Sequence, residues 1–126
     1  MESGKVILLV DDDLTLREMY GERLKVEGFE IVQASNGEEA LQQAKEVNPN
    51  VILLDIMMPK INGFDVLRQL KEDPELKDIP VIILTALIQD VDRLQGKKLG
   101  AADYIVKSET MPGEVIAKIQ GVLGQK

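Results

Sequence analysis

Residues 51–64 read VILLDIMMPKINGF, in which four branched apolar residues run directly into Asp55. A short apolar run of this kind is typical of a fully buried strand in a parallel sheet. A carboxylate at the end of such a strand either caps the following backbone or takes part in chemistry. Which of these applies to Asp55 depends on what the other strands carry at the same end.

The composition predicts one domain with one substantial core. The chain has 126 residues, of which 44% are hydrophobic, and this size and composition suit a single domain spanning residues 1–126 with its core in 5–123. We expect no second domain within these residues, and either a stand-alone protein or an excised piece of a larger protein fits this length.

Charge and residue types exclude several functions. The 22 acidic residues outnumber the 15 basic ones, and the net charge of −7 argues against direct binding to nucleic acid or to an anionic membrane. No apolar run approaches the roughly 20 residues of a membrane span, so a cytoplasmic location is expected. With no cysteine and no histidine, any chemistry must use carboxylates, hydroxyls and amines.

Strand and helix patterns alternate along the chain. Apolar runs predict strands at 5–10, 51–54, 81–84 and 104–106, and EIVQA at 30–34 predicts a further short strand. Helical spacing is shown by Leu16, Met19, Tyr20 and Leu24, by Ala40, Leu41, Ala44 and Val47, by Phe64, Leu67 and Leu70, by Val91, Leu94 and Leu99, and by Val115, Ile116, Ile119, Val122 and Leu123. Five βα units predict an α/β fold, a doubly wound parallel sheet of five strands covered by helices on both faces.

In a sheet of this class, ligands bind beyond the carboxyl ends of the strands. The residues at those ends are Asp11, Asp12 and Asp13, followed by Asp55, Thr85 and Lys107. Crowded carboxylates repel one another unless a cation neutralises them, and Mg²⁺ suits an open site with hard oxygen ligands. Asp55 can then act as the nucleophile that accepts a phosphoryl group, with Thr85 and Lys107 holding the phosphoryl oxygens.

Four motifs, in order, resemble the receiver (CheY-like) domains of bacterial two-component response regulators over nearly the whole chain. They are VILLVDDD at 6–13, VILLDIMMPKINGFDVL at 51–67, VIILTA at 81–86 and GAADYIVK at 100–107. The resemblance implies a flavodoxin-like sheet of strand order 2-1-3-4-5 with five helices. It also implies a phosphoacceptor signalling protein and not an enzyme.

The resemblance assigns roles around the acidic cluster. It implies that Asp55 is phosphorylated and that Asp12 and Asp55 bind Mg²⁺ directly. Asp11 would act mostly through metal-bound water, and Met57 would contribute its backbone carbonyl but not its side chain.

The resemblance also implies a switch and partners. Thr85 and Lys107 would close on the phosphoryl group, and movement of Thr85 would let Tyr104 rotate inward and remodel the face of the fourth helix, fifth strand and fifth helix. The phosphoryl donor would be a sensor histidine kinase or a histidine phosphotransferase, and the target a downstream protein. Phosphorylation-dependent homodimerisation through that face stays open.

Other interpretations compete at the acidic residues. Asp13 lies outside the acidic pair of the family and can simply cap the first helix. Asp11-x-Asp13-x-Thr15 also fits the signature of haloacid-dehalogenase-like phosphohydrolases, in which Asp11 would attack phosphate and Asp13 would act as an acid. That interpretation leaves Asp55 unexplained. A receiver-like module that no longer takes phosphate conflicts with the complete set of site residues.

Two departures from the family pattern carry predictions. Ser108 follows Lys107 where the family usually has a proline joined by a cis bond, so we expect a trans Lys107–Ser108 bond. Met57 and Leu87, at positions that tune acyl-phosphate lifetime in the family, are apolar and cannot orient an attacking water. We therefore expect slow self-dephosphorylation.

Overall fold

A computed structural model describes residues 5–58, 62–86, 89–109 and 111–123. Its five strands are β1 (Val6–Val10), β2 (Glu30–Ala34), β3 (Val51–Leu54), β4 (Val81–Thr85) and β5 (Asp103–Val106). The helices between and after them are α1 (Leu14–Val26), α2 (Gly37–Val47), α3 (Gly63–Glu72), α4 (Asp90–Lys98) and α5 (Pro112–Val122), with a short 3₁₀ helix at Lys107–Glu109. Each predicted unit is present, with strand ends shifted by one residue at β1, β4 and β5.

The sheet has the predicted order, β2-β1-β3-β4-β5, and every pairing is parallel. Its register brings the key strand ends together. Val10 pairs with Leu54, so the next residues along, Asp11 and Asp55, leave the sheet side by side. Thr85 pairs with Val106, the residue before Lys107, at the other side of the same edge.

Two apolar clusters hold the sheet, one on each face. Alternating residues of β1 divide between them: Leu8 and Val10 pack with α2 and α3, whereas Ile7 and Leu9 pack with α1 and α5. All four residues of β3 are fully buried, and each such side chain gains about 1.5–3 kcal/mol from leaving water. This apolar burial fixes β3 and therefore the place at which Asp55 emerges.

Side-chain caps begin the first three helices. Asp13 accepts a hydrogen bond from the Leu16 N–H at 3.3 Å, which confirms its predicted capping role. Asn36 accepts from the Glu39 N–H at 2.9 Å, and Asn62 from the Phe64 N–H at 2.7 Å. Each cap satisfies a backbone donor that has no partner within its helix.

The predicted apolar face of the fourth helix is wrong in part. Val91 and Leu94 are 65% and 57% exposed, and only Leu99, just past the end of α4, packs against the core. The helix instead approaches the sheet through Gly96, where an added Cβ would lie 2.8 Å from Ile83 Cδ1 and 3.3 Å from a Tyr104 ring carbon. The side of α4 that meets the sheet therefore carries a glycine, and Val91 and Leu94 lie on its exposed side.

Another predicted helix-face residue is also exposed: Met19 on α1 is 49% accessible, since Tyr20 and Leu24 supply the buried contacts of that helix. Among the helices that the structure describes, none combines the length and apolar character needed to span a bilayer.

Candidate functional site

Three carboxylates meet at the carboxyl ends of β1 and β3. Asp11, Asp12 and Asp55 each offer one oxygen, and these oxygens lie within 4.8 Å of one another. Asp11 and Asp55 are buried, at 1% and 4% exposure, whereas Asp12 is open to solvent. The three residues form a small acidic pocket that is exposed to solvent on the side of Asp12, and their proximity was predicted.

Lys107 is the cation of this pocket. Its Nζ lies 2.8 Å from Asp11 Oδ2 and 3.3 Å from Asp55 Oδ2. The side chain reaches there from the first position of the 3₁₀ helix that follows β5. The Lys107–Ser108 bond is trans, because no described peptide bond is cis, which confirms the prediction made from Ser108.

Backbone donors orient the two buried carboxylates. Asp11 Oδ1 accepts a hydrogen bond from the Asp13 N–H at 2.9 Å, and Asp55 Oδ1 accepts from the Met57 N–H at 3.1 Å. Each aspartate therefore uses one oxygen to hold the following turn and presents the other to Lys107. Two turns and one lysine fix both carboxylates in place.

The environment opposes ionisation of Asp55. Burial raises its pKa, the negative charge of Asp11 raises it further, and Lys107 and the Met57 N–H act in the opposite direction. Burial by itself lowers the pKa of Lys107, but the hydrogen bond to Asp11 and the charges of Asp55 and Asp11 outweigh burial and raise it. Lys107 stays charged, and Asp55 gains from any additional cation placed beside it.

Thr85 and Tyr104, the predicted switch residues, lie on the adjacent strands. Thr85 is fully buried at the end of β4. Tyr104 on β5 is half-buried, pairs in register with Ile83 and packs against the core beneath α4. The Arg93 guanidinium carbon lies 5.4 Å from the centre of its ring, within the range of a cation–π contact.

Gly63 is a site residue that the sequence reasoning treated only as part of a loop. A Cβ at this position would overlap the Asp55 carbonyl oxygen and lie 2.5 Å from Ile56 Cα. Its N–H donates to the Ile56 carbonyl at 2.9 Å. Only glycine lets α3 begin this close to the backbone that carries Asp55.

Arg17 is a second residue that the sequence reasoning missed. Its Nη1 donates to the Asp11 backbone carbonyl at 2.6 Å and its Nε donates to Gln33 Oε1 at 3.0 Å. Arg17 thereby ties α1 and β2 to the turn that bears the acidic pair. No motif in the sequence signals this contact, since it links three separate elements.

The remaining predicted residues divide as follows. Met57 lies beside the pocket with its side chain 55% exposed and its N–H directed at Asp55. Asp13 serves as the cap of α1. Leu87 lies outside the described residues, so its predicted influence stays a prediction.

Comparison with known proteins gives a consistent result. The chain matches the family described as "Response regulator receiver domain" over residues 7–120. It is 43% identical over 117 residues to "Probable transcriptional regulator ycf27" of Porphyridium aerugineum, covering 93% of this chain and 47% of the relative. It is 40% identical over 120 residues to the PhoB phosphate regulon regulatory protein of Pseudomonas aeruginosa, covering 95% and 52%. The chain spans about half the length of these relatives.

Solved structures agree with the sequence relatives. A putative response regulator from Chloroflexus aurantiacus superposes with a TM-score of 0.89 at 32% identity, covering 96% of this chain and 98% of the other. The BeF3-activated N-terminal receiver domain of Klebsiella pneumoniae RstA superposes with a TM-score of 0.88 at 28% identity, covering 95% and 99%. Nothing in these comparisons supports the phosphohydrolase interpretation. The chain belongs to the receiver domain family of two-component response regulators.

Proposed function

We propose that Asp55 is the phosphoacceptor of this receiver domain, assisted by Thr85 and Lys107. The observation that carries the proposal is the shared ion pair of Lys107 Nζ with Asp11 and Asp55. It places a buried, cation-supported carboxylate at the strand end from which the backbone turns outward. Such a carboxylate is shielded from water yet reachable from the open side at Asp12.

The donor set fits Mg²⁺. Asp12, Asp55 and the Met57 carbonyl would hold the ion, with Asp11 acting through a bound water, and the exposure of Asp12 leaves room for the waters that Mg²⁺ retains. The raised pKa of Asp55, caused first by burial and then by Asp11, is the expected signature of a carboxylate pair that lacks enough positive charge. Bound there, the ion would neutralise charge that develops on phosphoryl oxygens.

The transfer itself needs only groups on this chain and a donor. A carboxylate oxygen of Asp55 bonds to phosphorus as the bond from phosphorus to the donor atom breaks, and the leaving group keeps the electron pair. The Lys107 ammonium is already within hydrogen-bond distance of Asp55 Oδ2, so it can pair with a phosphoryl oxygen after transfer. The Thr85 hydroxyl would accompany it from the neighbouring strand.

The response to phosphorylation would pass through β4 and β5. Thr85 moves toward the phosphoryl group, Tyr104 turns inward beneath α4, and the face of α4, β5 and α5 changes for a downstream protein partner. The close contact between Gly96 and Tyr104 supports this route, because a moving ring must alter its packing with α4. The equilibrium between two pre-existing states would shift with phosphorylation.

The partners follow from the family. A sensor histidine kinase or a histidine phosphotransferase would supply the phosphoryl group, since this chain contains no histidine. The ycf27 and PhoB relatives are transcriptional regulators about twice as long as this chain. The net charge of −7 supports signalling by protein contact and not by direct nucleic-acid binding of these residues. A cytoplasmic location, a single-domain boundary at 1–126 and phosphorylation-dependent dimerisation stay predictions.

Mass measurement after incubation with acetyl phosphate and Mg²⁺ tests the proposal. We expect one added phosphoryl group on the wild type, none on Asp55→Asn, and none when a chelator removes the metal. Asp13→Asn is the matched control, because it removes a neighbouring charge and keeps a good helix cap. Specific labelling that survives Asp55→Asn but is lost in Asp11→Asn would overturn the proposal in favour of attack by Asp11.

A further inference from the structure

A cleft opens beside the acidic pocket and continues past it to α4. Its volume is about 700 Å³, and its described walls come from residues 56–58 and 62–65 on one side and from α4 on the other. Lining residues include Asp12 of the pocket, then Met57, Phe64, Asp65, Asp92 and Gln95. The cleft adjoins the acidic pocket, because Asp12 lines it and a carboxylate oxygen of Asp12 lies within 4.8 Å of one of Asp55.

The described residues that line this cleft include three carboxylates, at Asp12, Asp65 and Asp92, and no cationic side chain. Asp65 is offset by Arg68, whose Nη2 lies 2.9 Å from its Oδ1. Asp92 differs: it is half-buried in the first turn of α4, and no described cationic group forms an ion pair with it.

The charge of Asp92 also acts on Tyr104 of β5. Burial raises the pKa of Tyr104, and the charge of Asp92 is the next cause, in the same direction. A carboxylate that perturbs a half-buried phenol also acts on an anion moving through the cleft that it lines. The effect on a doubly charged acyl phosphate exceeds that on a donor carrying one charge fewer.

We infer that Asp92 is a specificity-determining residue that slows phosphorylation by small anionic donors and thereby favours protein phosphohistidine donors. A protein donor can supply its own complementary surface for the cleft, whereas a free acyl phosphate cannot. The inference rests on the proposed function of Asp55. In the step it affects, the Asp55 oxygen bonds to phosphorus, the bond from phosphorus to the acetyl oxygen breaks, and acetate leaves with the electron pair.

The test compares labelling rates with acetyl phosphate and Mg²⁺ at low ionic strength. Asp92→Asn is expected to be labelled about threefold faster than wild type, and Gln95→Glu, which adds a charge to the same cleft, about threefold slower. Asp90→Asn is the matched control, because Asp90 is exposed on the same helix and does not line the cleft. With phosphoramidate, which carries one negative charge fewer, the acceleration in Asp92→Asn should be smaller.

Salt separates an electrostatic effect from a change of shape. At about 1 M salt the Debye length is about 3 Å, so the charge at position 92 or 95 is screened. The labelling rates of the variants should then be equal. Equal rates for Asp92→Asn and Asp90→Asn, or a difference that persists at high salt, would overturn the inference while leaving Asp55 as the phosphoacceptor. A wild type that takes no phosphoryl group at Asp55 would overturn both.

Discussion

Lys107 Nζ lies 2.8 Å from Asp11 Oδ2, although the two residues are 96 positions apart in the sequence. They follow β5 and β1, and two strands, β3 and β4, lie between these in the sheet. From the 3₁₀ helix after β5, Lys107 Nζ also lies 3.3 Å from Asp55 Oδ2 at the same edge of the sheet. One cation thus serves both buried carboxylates, and its removal should change metal binding as well as stability.

Replacing Lys107 with alanine should leave Asp11 and Asp55 buried without a counter-charge. We expect the free energy of unfolding without Mg²⁺ to fall by about 1–2 kcal/mol, below the cost for a fully buried pair because Lys107 is partly exposed. Mg²⁺ should bind more tightly to the variant, since no ammonium competes for the carboxylates.

Urea unfolding measures the change in stability, and titration calorimetry measures the change in Mg²⁺ affinity. Lys98→Ala, on the exposed side of α4, is the control, and weaker Mg²⁺ binding by Lys107→Ala would contradict this account.

Asp55→Asn should stabilise the metal-free protein. The amide can still accept the Met57 N–H bond while removing a charge that burial and Asp11 disfavour. At pH 7 we expect a gain of about 1 kcal/mol in the free energy of unfolding, in the range seen when buried charges are removed.

The pH dependence of that gain has a defined sign. The folded pKa of Asp55 is raised above the ordinary 3.8, so the ionised carboxylate costs stability above the folded pKa. This cost disappears as the pH falls below 3.8, because the group is then neutral in both states. The stability difference between variant and wild type should therefore shrink from pH 7 toward pH 4. A variant less stable than wild type at pH 7 with chelator present would refute the prediction.

Gly63→Ala should damage the site through the backbone. The new methyl group would collide with main-chain atoms of Asp55 and Ile56, which cannot turn aside as a side chain can. We expect a loss of about 2 kcal/mol in the free energy of unfolding and slower labelling of Asp55. Gly121→Ala is the control, since Gly121 lies exposed in α5 with nothing within 4 Å of an added Cβ, and alanine should be neutral or slightly stabilising there. Equal behaviour of the two variants would show that the contact with Asp55 is tolerated.

Met57→Asn should shorten the lifetime of the phosphorylated protein. The wild-type side chain is apolar and cannot orient water, and its exposure at the edge of the pocket lets a polar residue replace it at little cost to the core. A decay curve of the phosphorylated protein should show loss faster by a factor on the order of ten in the variant. Leu87→Glu is expected to act in the same direction. Faster decay in the wild type would disprove the role assigned to these positions.

The strand ends were predictable because apolar runs fix the strands and parallel pairing fixes where they end. The runs at 51–54 and 6–10 bring Asp55 and Asp11 to neighbouring positions once the strand order is known. The strand order and the detailed roles came from the resemblance and not from apolar patterning. Local rules also sufficed for Asp13, because a capping residue acts within its own helix turn.

Contacts between distant elements were not predictable in the same way. Arg17 of α1 donates hydrogen bonds to the Asp11 carbonyl and to Gln33 of β2. No rule of residue spacing predicts a contact among three separate elements. The apolar face predicted for the fourth helix is wrong in part because Val91 and Leu94 have helical spacing but face solvent. The actual contact with the sheet is a glycine, which apolar periodicity does not register.

The exposed apolar side chains of α4 have a dynamic consequence. Gly96 is the buried residue of this helix, whereas α3 buries Gly63, Phe64, Val66, Leu67 and Leu70. Little buried apolar surface becomes exposed when α4 detaches from the sheet. Its amide hydrogens should therefore exchange with solvent through a local opening, at a lower free energy than unfolding of the sheet. The helix nearest Tyr104 can thus be rearranged at low energetic cost while the paired strands keep the carboxylates of the pocket in register.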